Sequence, residues 1–348
     1  MFQIRISNVP VLFSKFFSTA DREAVLSAIP QGTRRVVFID TPATAELAPT
    51  IEVLLGQGIE VNVRDHHDEP NPANPRAKQI ADAAMRIREL CGSNAVISNR
   101  KANPACSSLI EVGQFAGEGT VIVADSDPDG LTAAMKAAGV FYVELDADAD
   151  VLDGGRVGQT ADKLSANAYL FVRAMSTLPT FDATRPQVSE DAKAKLFNDF
   201  VLVVNGDSDA RARLEKGVET YEAGVKEAER LASTVTDLMA SVAFVDLMKS
   251  PRFDLTTLAG KMDARTGTKV TVQKKAVGPI AAKCGGVQYS LAVVKAEQAN
   301  INLQELLPSG FVSSPETGII SNTSFLLHVS QEVWESQVLP ALRVRFGN

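Results

Sequence analysis

The first half of the chain alternates short apolar runs with amphipathic stretches. RRVVFID (34–40) is an apolar run closed by an Asp. APTIEVLLGQG (48–58) has helical spacing and a glycine stop, and IEVNVRDHH (59–67) reads as a strand running into a polar end. PRAKQIADAAMRIRELCG (75–92) carries Pro near its start and Gly at its end, as helices do. SSLIEVGQFAG (107–117) reads as a short helix, and GTVIVADSDPDG (119–130) as a buried strand breaking into an acidic turn. LTAAMKAAG (131–139) then reads as a helix and VFYVEL (140–145) as a strand. Strands alternating with helices predict a parallel sheet covered on both faces. The opening MFQIRISNVPVLFSKFF alternates like a strand and lacks the small-residue cleavage site of a signal peptide.

The second half has a different texture. DADADVLDGGR (146–156) is acidic and reads as a loop, ANAYLFVRAMSTL as a helix, and DAKAKLFNDFVLVVNG as a helix followed by a strand. From Asp209 to about Asp237 a long charged helical pattern suits a connector. Beyond it come strand-like runs (SVAFVDL, TKVTVQKK, VQYSLAVVK, TSFLLHV) and a terminal helix around QEVWESQVLPAL. The expectation is an α/β protein in three parts: a parallel-sheet domain over 1–208, a connector helix over 209–238, and a smaller α+β domain over 239–348.

Composition changes this picture little. A length of 348 residues fits two domains at roughly 150 residues each. Hydrophobic residues at 45% and charged residues at 22% are ordinary globular values. No apolar run approaches the roughly 20 residues of a membrane span. Three cysteines (Cys91, Cys106, Cys284) without CxxC spacing exclude a disulfide framework and a cysteine zinc site, so a reducing cytoplasm is expected. Oligomeric state is not legible.

Charge changes more. Residues 1–208 carry 19 Lys/Arg against 27 Asp/Glu, a net −8, whereas 209–348 carry 16 against 15, a net +1. Within 249–295, nine basic residues face only Asp254 and Asp263, a local +7. Acid-rich segments hold cations, and basic ones attract polyanions.

Candidate chemistry gathers at strand ends, where parallel sheets bind ligands. Asp65-His66-His67 closes one strand. Imidazole nitrogen suits Mn, Fe, Co or Zn, and carboxylate oxygen suits Mg or Mn. Asp125, Asp127 and Asp129 close another, and three carboxylates at alternate positions repel one another unless a cation relieves them. The DSDPDG string opens like an EF-hand loop, but position 12 is Lys136 rather than Glu, and the preceding segment is a strand. Asp40 ends RRVVFID and could alternatively cap the next segment.

These motifs resemble the DHH phosphoesterase superfamily of RecJ-type exonucleases, nanoRNases and cyclic-dinucleotide phosphodiesterases. The resemblance rests on VVFID with Asp40, VRDHH with Asp65, His66 and His67, VADSDPDGLTAAM with Asp125, Asp127 and Asp129, and the phrase NPACSSLIEV. It is confined to about 38–135, and DSDPDG looks more like the RecJ branch. The family's acidic motif normally precedes the DHH, and here it comes after. Either the motifs are permuted, or the 125–129 string stands in for the family's fourth motif, or it serves as both. The fourth-motif Asp is then open among Asp150, Asp146, Asp148 and Asp153.

The resemblance implies a phosphodiester hydrolase. Asp40, Asp65, His66, Asp125, Asp127 and Asp129 would hold two Mn²⁺, with Mg²⁺ possible, and Asp65, His66 and His67 would serve catalysis. The implied partner is single-stranded nucleic acid or a short oligonucleotide, first of all single-stranded DNA cut from its 5′ end. The family's Gly-Gly-Gly-His loop has no match in CGGV (284–287) or LPSGFVSSPETG (307–318). Ser290 and Lys295 are candidates for phosphate contact by resemblance, and Lys274 and Lys275 by the basic stretch. The missing loop and the motif order also leave room for a degenerate nucleic-acid-binding relative.

Overall fold

The computed structural model describes residues 1–15, 18–68, 77–153, 161–178, 186–251, 253–275, 287–305 and 324–347. The chain divides into two compact units, one of Met1–Thr180 with Pro186–Val218 and one of Phe181–Arg185 with Glu219–Asn348.

The first unit is built on a six-stranded sheet. Its strands are β1 (Phe2–Ile6), β2 (Val9–Phe13), β3 (Arg35–Ile39), β4 (Glu60–Asp65), β5 (Ala95–Ile97) and β6 (Thr120–Ala124), in the order β1-β2-β6-β3-β4-β5. All neighbouring pairs are parallel except the β1–β2 hairpin. The apolar runs are unbroken because both faces of the sheet are covered. In β3, Val36 and Phe38 point to one core and Val37 and Ile39 to the other. The first core is closed by α2 (Leu47–Gly56) and α3 (Ala77–Cys91). The second is closed by α4 (Pro128–Ala137), α5 (Leu145–Asp153), α6 (Ala166–Met175) and α7 (Pro186–Val204). A further helix, α1 (Thr19–Ala28), comes after β2.

Several expectations are corrected. The opening segment forms two strands rather than one, turning at Ser7, which adopts φ 54°. Residues 140–144 form no strand. Val140 is buried, but Phe141 and Val143 face solvent, so the alternation has no second face to cover. The acidic stretch predicted as a loop is helix α5. Residues 107–117 hold only the 3-10 turn Cys106–Leu109, and Gly113 then donates to the Lys136 carbonyl at 2.8 Å. The VLVV run stays helical within α7, because Phe197, Phe200 and Val201 recur at helical spacing. Phe197 meets Phe2, Phe13 and Phe171 edge-on, and Phe200 stacks on Phe171. Each such ring stabilises the fold by about 1.5–3 kcal/mol through burial.

The predicted charged helix is α8 (Ser208–Ala232), and the division between the units falls inside it, at Val218–Glu219. The second unit has a five-stranded sheet, with β7 (Thr236–Met239), β8 (Val242–Leu247), β9 (Val270–Lys275), β10 (Val287–Val293) and β11 (Ser324–Val329) in the order β11-β10-β9-β8-β7. Only β8 and β9 run parallel. One face packs Val242, Val272, Tyr289 and Leu291 against Trp334 and Leu342 of the terminal helical segment. Tyr289 stacks flat on Trp334 at 3.9 Å, which places this aromatic in the core. The other face packs Ala243 and Val245 against Leu258 and Met262 of α9 (Leu255–Asp263). Among the described residues no helix is long and apolar enough to cross a membrane.

Candidate metal centre

Three parallel strands, β3, β4 and β6, end at the same sheet edge. Asp40, Asp65-His66-His67 and the 125–129 acids therefore converge there although the chain separates them. Asp40 sits at φ 53°, a left-handed conformation uncommon for a residue with a Cβ. Its N–H donates to the Arg64 carbonyl at 2.8 Å, and its side chain is buried.

His66 is fully buried. Its Nδ1 donates to the Asn103 carbonyl at 2.9 Å, which turns Nε2 inward. That Nε2 lies 3.2 Å from Asp40 Oδ1 and 3.3 Å from Asp129 Oδ2. Neither approach is a hydrogen bond. Nε2, Asp40 Oδ1 and Asp129 Oδ1 are all buried without a hydrogen-bond partner. Two carboxylates and a ring nitrogen drawn together unbonded in a dry site are unfavourable unless positive charge lies between them. Asp153 joins the same point. A carboxylate oxygen of Asp153, a ring nitrogen of His66 and a carboxylate oxygen of Asp129 lie within 4.8 Å of one another, as do ligand atoms of Asp40, His66 and His67. Oxygen and imidazole donors without cysteine fit a divalent cation rather than a thiolate-loving one.

The electrostatics agree. Burial, then Asp127, Asp65, Asp125 and Asp153, hold the Asp40 carboxyl well above the usual range. Burial and Asp40 do the same to Asp129, with His66 opposing. Asp125 is raised by burial and Asp127, with Lys15 opposing at 3.7 Å. Asp153 is raised by burial, and Arg100 opposes. Burial and the adjacent carboxylates push up the Cys106 thiol.

The structure distributes the sequence candidates unevenly. Asp40, His66 and Asp129 meet. Asp65 turns aside, taking the His67 N–H at 3.1 Å and His67 Nδ1 at 2.8 Å on its two oxygens. His67 is engaged on both ring nitrogens, since Arg100 Nη2 lies 2.9 Å from its Nε2. Asp127 caps α4, taking the Gly130 N–H at 2.8 Å, and Asp125 takes the Ser126 N–H. Gly130 has a local reason to be glycine, because a Cβ there would meet the Asp125 carbonyl oxygen at 2.4 Å.

Two site residues were not singled out by the sequence. Of the four open acids, Asp146 pairs with Lys136 at 2.7 Å, and Asp148 is occupied by Ser165 and Tyr142. Asp150 is exposed, and Asp153 alone reaches the centre. A helical reading of 145–153 would have put Asp146 and Asp153 on one face, seven residues apart. Arg100 had no sequence signal. It reaches both His67 and Asp153, the latter at 2.6 Å.

The second-unit candidates do not form one patch. Lys275 and Ser290 lie on the α9 face of the sheet, and Lys274 lies on the opposite face, 3.6 Å from Asp246. Lys275 is partly buried, which lowers its pKa, and the Ser290 hydroxyl is buried without a partner. Lys295 is exposed just beyond β10. Of the other basic residues, Lys261 pairs with Glu229 at 3.5 Å and Arg265 with Asp237 at 3.0 Å. The segments 307–318 and 284–286 lie outside the described residues, as do Arg252 and Lys283.

No protein-family model matches the chain, and no curated protein matches it in sequence. Solved structures do. A pGpG-specific phosphodiesterase, PggH from Vibrio cholerae, aligns over 89% of this chain and 98% of its own, at 13% identity and a TM-score of 0.38. The DHH domain of a member of the s1p family of ribosomal proteins aligns over 96% of this chain and 76% of its own, at 12% identity and a TM-score of 0.41. At these values neither likeness bears on what this chain does.

Proposed function

We propose that this protein is a metal-dependent phosphodiesterase of the DHH kind that holds two divalent cations, Mn²⁺ or Mg²⁺, and cleaves short oligonucleotides. The observation that carries the reading is the convergence of the buried Asp40, His66 and Asp129 side chains, with His66 Nε2 3.2 Å from Asp40 Oδ1 and 3.3 Å from Asp129 Oδ2, and with Asp40 Oδ1, His66 Nε2 and Asp129 Oδ1 unbonded. Asp40, Asp129 and Asp153 would hold the cations, with the one His66 Nε2 lone pair going to one of them. Two divalent cations there would supply an activated water and Lewis acidity for attack on a phosphodiester.

The chain's own residues do the rest. The Asn103 carbonyl keeps the His66 lone pair aimed inward. Asp65 holds the His67 ring and its Nδ1 proton in place. Asp127 and Gly130 lock the turn that delivers Asp129. The position of the 125–129 string at the end of β6, beside β3 and Asp40, supports reading it as the family's first motif in permuted order. Asp153 then supplies the fourth-motif carboxylate. Strand ends meet in space whatever the chain order.

The short-substrate reading rests on the second unit. The local +7 of residues 249–295 is offset by Glu229, Asp237 and Asp246, which lie outside that stretch in sequence. A long polyanion therefore gains less there than the linear count suggests.

The test is a substrate panel with Mn²⁺-loaded protein. Oligonucleotides of about two to five residues should be the preferred substrates, consistent with the modest basic surface. Release of mononucleotides from the 5′ end of long single-stranded DNA would assign a RecJ-type exonuclease instead. Cleavage of a cyclic dinucleotide alone would assign a signalling enzyme. Failure to bind Mn²⁺ in calorimetry, with nucleic-acid binding intact, would make the protein a degenerate binding module.

A further inference from the structure

We infer that Arg100 is the residue that grips the substrate phosphate, an inference that rests on the phosphodiesterase reading above. Arg100 stands on the turn after β5. That turn is pinned to the DHH segment by the bridge between His67 and Asn99, and it is closed by Asn99, which takes the Ala102 N–H on its side chain. The same turn supplies the Asn103 carbonyl that fixes His66. One short loop thus orients a candidate ligand and delivers a guanidinium to the rim of the centre.

Arg100, like Arg88, is held through Nη2 alone rather than clamped by two nitrogens. Arg35, Arg86, Arg213 and Arg230 each grip a carboxylate side chain with Nε and Nη2 together. Arg100 uses Nη2 alone, for both Asp153 Oδ1 and His67 Nε2. Its Nε–H and both Nη1–H groups make no hydrogen bond among the described residues, and its side chain is 42% exposed. The free Nε–H and Nη1–H groups lie on different sides of the guanidinium, so each is open to a single charge-assisted hydrogen bond to a phosphate oxygen.

The charge balance points the same way. Six carboxylates border the centre (Asp40, Asp65, Asp125, Asp127, Asp129, Asp153), and Lys15, Lys193 and Arg100 are the described cations beside them. With two divalent cations bound, the balance becomes about +1. Lys193 donates to the Ser126 carbonyl and Lys15 lies against Asp125, both on the side of the 125–129 turn. Arg100 supplies the positive charge on the Asp153 side.

The experiment compares wild type with Arg100→Gln and Arg100→Lys in Mn²⁺-loaded protein. Calorimetry measures Mn²⁺ stoichiometry and the affinity for inorganic phosphate, and steady-state assays separate KM from kcat on a dinucleotide. For Arg100→Gln, Mn²⁺ stoichiometry should stay at the wild-type value. Phosphate affinity should fall, and KM rise, by about tenfold to a hundredfold, the size of a lost charged hydrogen bond. Arg100→Lys should recover part of the affinity, because the positive charge is kept. Unchanged phosphate affinity and KM would overturn the inference, as would loss of Mn²⁺ instead of phosphate, which would make Arg100 a support for Asp153. If wild type cleaves no phosphodiester but Arg100→Gln still loses phosphate, the enzymatic reading falls and the phosphate site stands.

Discussion

The acidic edge of the first sheet and the basic stretch of the second unit treat charge in opposite ways. At the acidic edge, Asp40, Asp129 and His66 are buried together with polar atoms left unbonded. In the basic stretch, Lys261, Arg265 and Lys274 each find a partner acid that the stretch itself does not carry. One region concentrates like charges that neighbour each other only in space. The other disperses like charges that neighbour each other only in sequence. Unrelieved charge held together by a rigid sheet costs stability and marks a site, whereas a paired and exposed charge contributes little either way.

Breaking the acidic edge should have the largest effect. His66→Ala should lower hydrolysis by about a thousandfold or more while leaving the circular dichroism spectrum native, because the buried imidazole ligand of the centre is gone. Unchanged turnover would remove the metal-site assignment. Gly130→Ala keeps every carboxylate but forces a Cβ onto the Asp125 carbonyl. Shifting Asp129 by a fraction of an ångström should cost about a hundredfold in kcat. A full-rate variant would mean the turn does not set the geometry.

The next test concerns stability and pH. Burial holds Asp40 and Asp129 above their ordinary value of 3.8, so in the metal-free fold they keep protons that the unfolded chain has released. The folded state then binds more protons, and stability falls as pH rises from about 4 through the folded values. Metal-stripped protein should therefore unfold at a lower temperature near pH 7.5 than near pH 5.5. Mn²⁺ should reverse the loss by about 3 kcal/mol at a hundredfold excess over its Kd. A metal-free melting temperature that rises with pH over this range would contradict the buried-carboxylate picture.

The smallest effect belongs to the basic stretch. Lys274→Glu should break its contact with Asp246, change stability by less than about 1 kcal/mol, and leave dinucleotide turnover within about twofold. A large loss of long-strand binding in Lys274→Glu would restore the nucleic-acid track that the pairings argue against.

The legible parts of this chain were those where local pattern and tertiary environment agree. VVFI and TVIVA read as buried strands because both faces of a parallel sheet demand apolar residues. The acids and histidines that end them read as site candidates because such strand ends share an edge. VFYVEL misled because an apolar alternation says nothing of whether a partner strand exists, and Phe141 and Val143 ended in solvent. VLVV misled because β-branched residues are tolerated in a helix once phenylalanines on the same face find a core. Asp153 stayed hidden among four acids of one segment, and Arg100 among thirty-five basic residues.

The sequence by itself determined the alternating α/β layout of the first half, the strand-end positions of Asp40 and His66, and the excess of acid in that half. These come from periodicity and from strand termini, which are local. Only the tertiary structure decided which carboxylates meet His66, that Asp65 instead orients His67, that Arg100 touches Asp153, and that Lys274 finds Asp246. Those outcomes depend on which chain segments lie side by side in space, and no residue-level propensity encodes that.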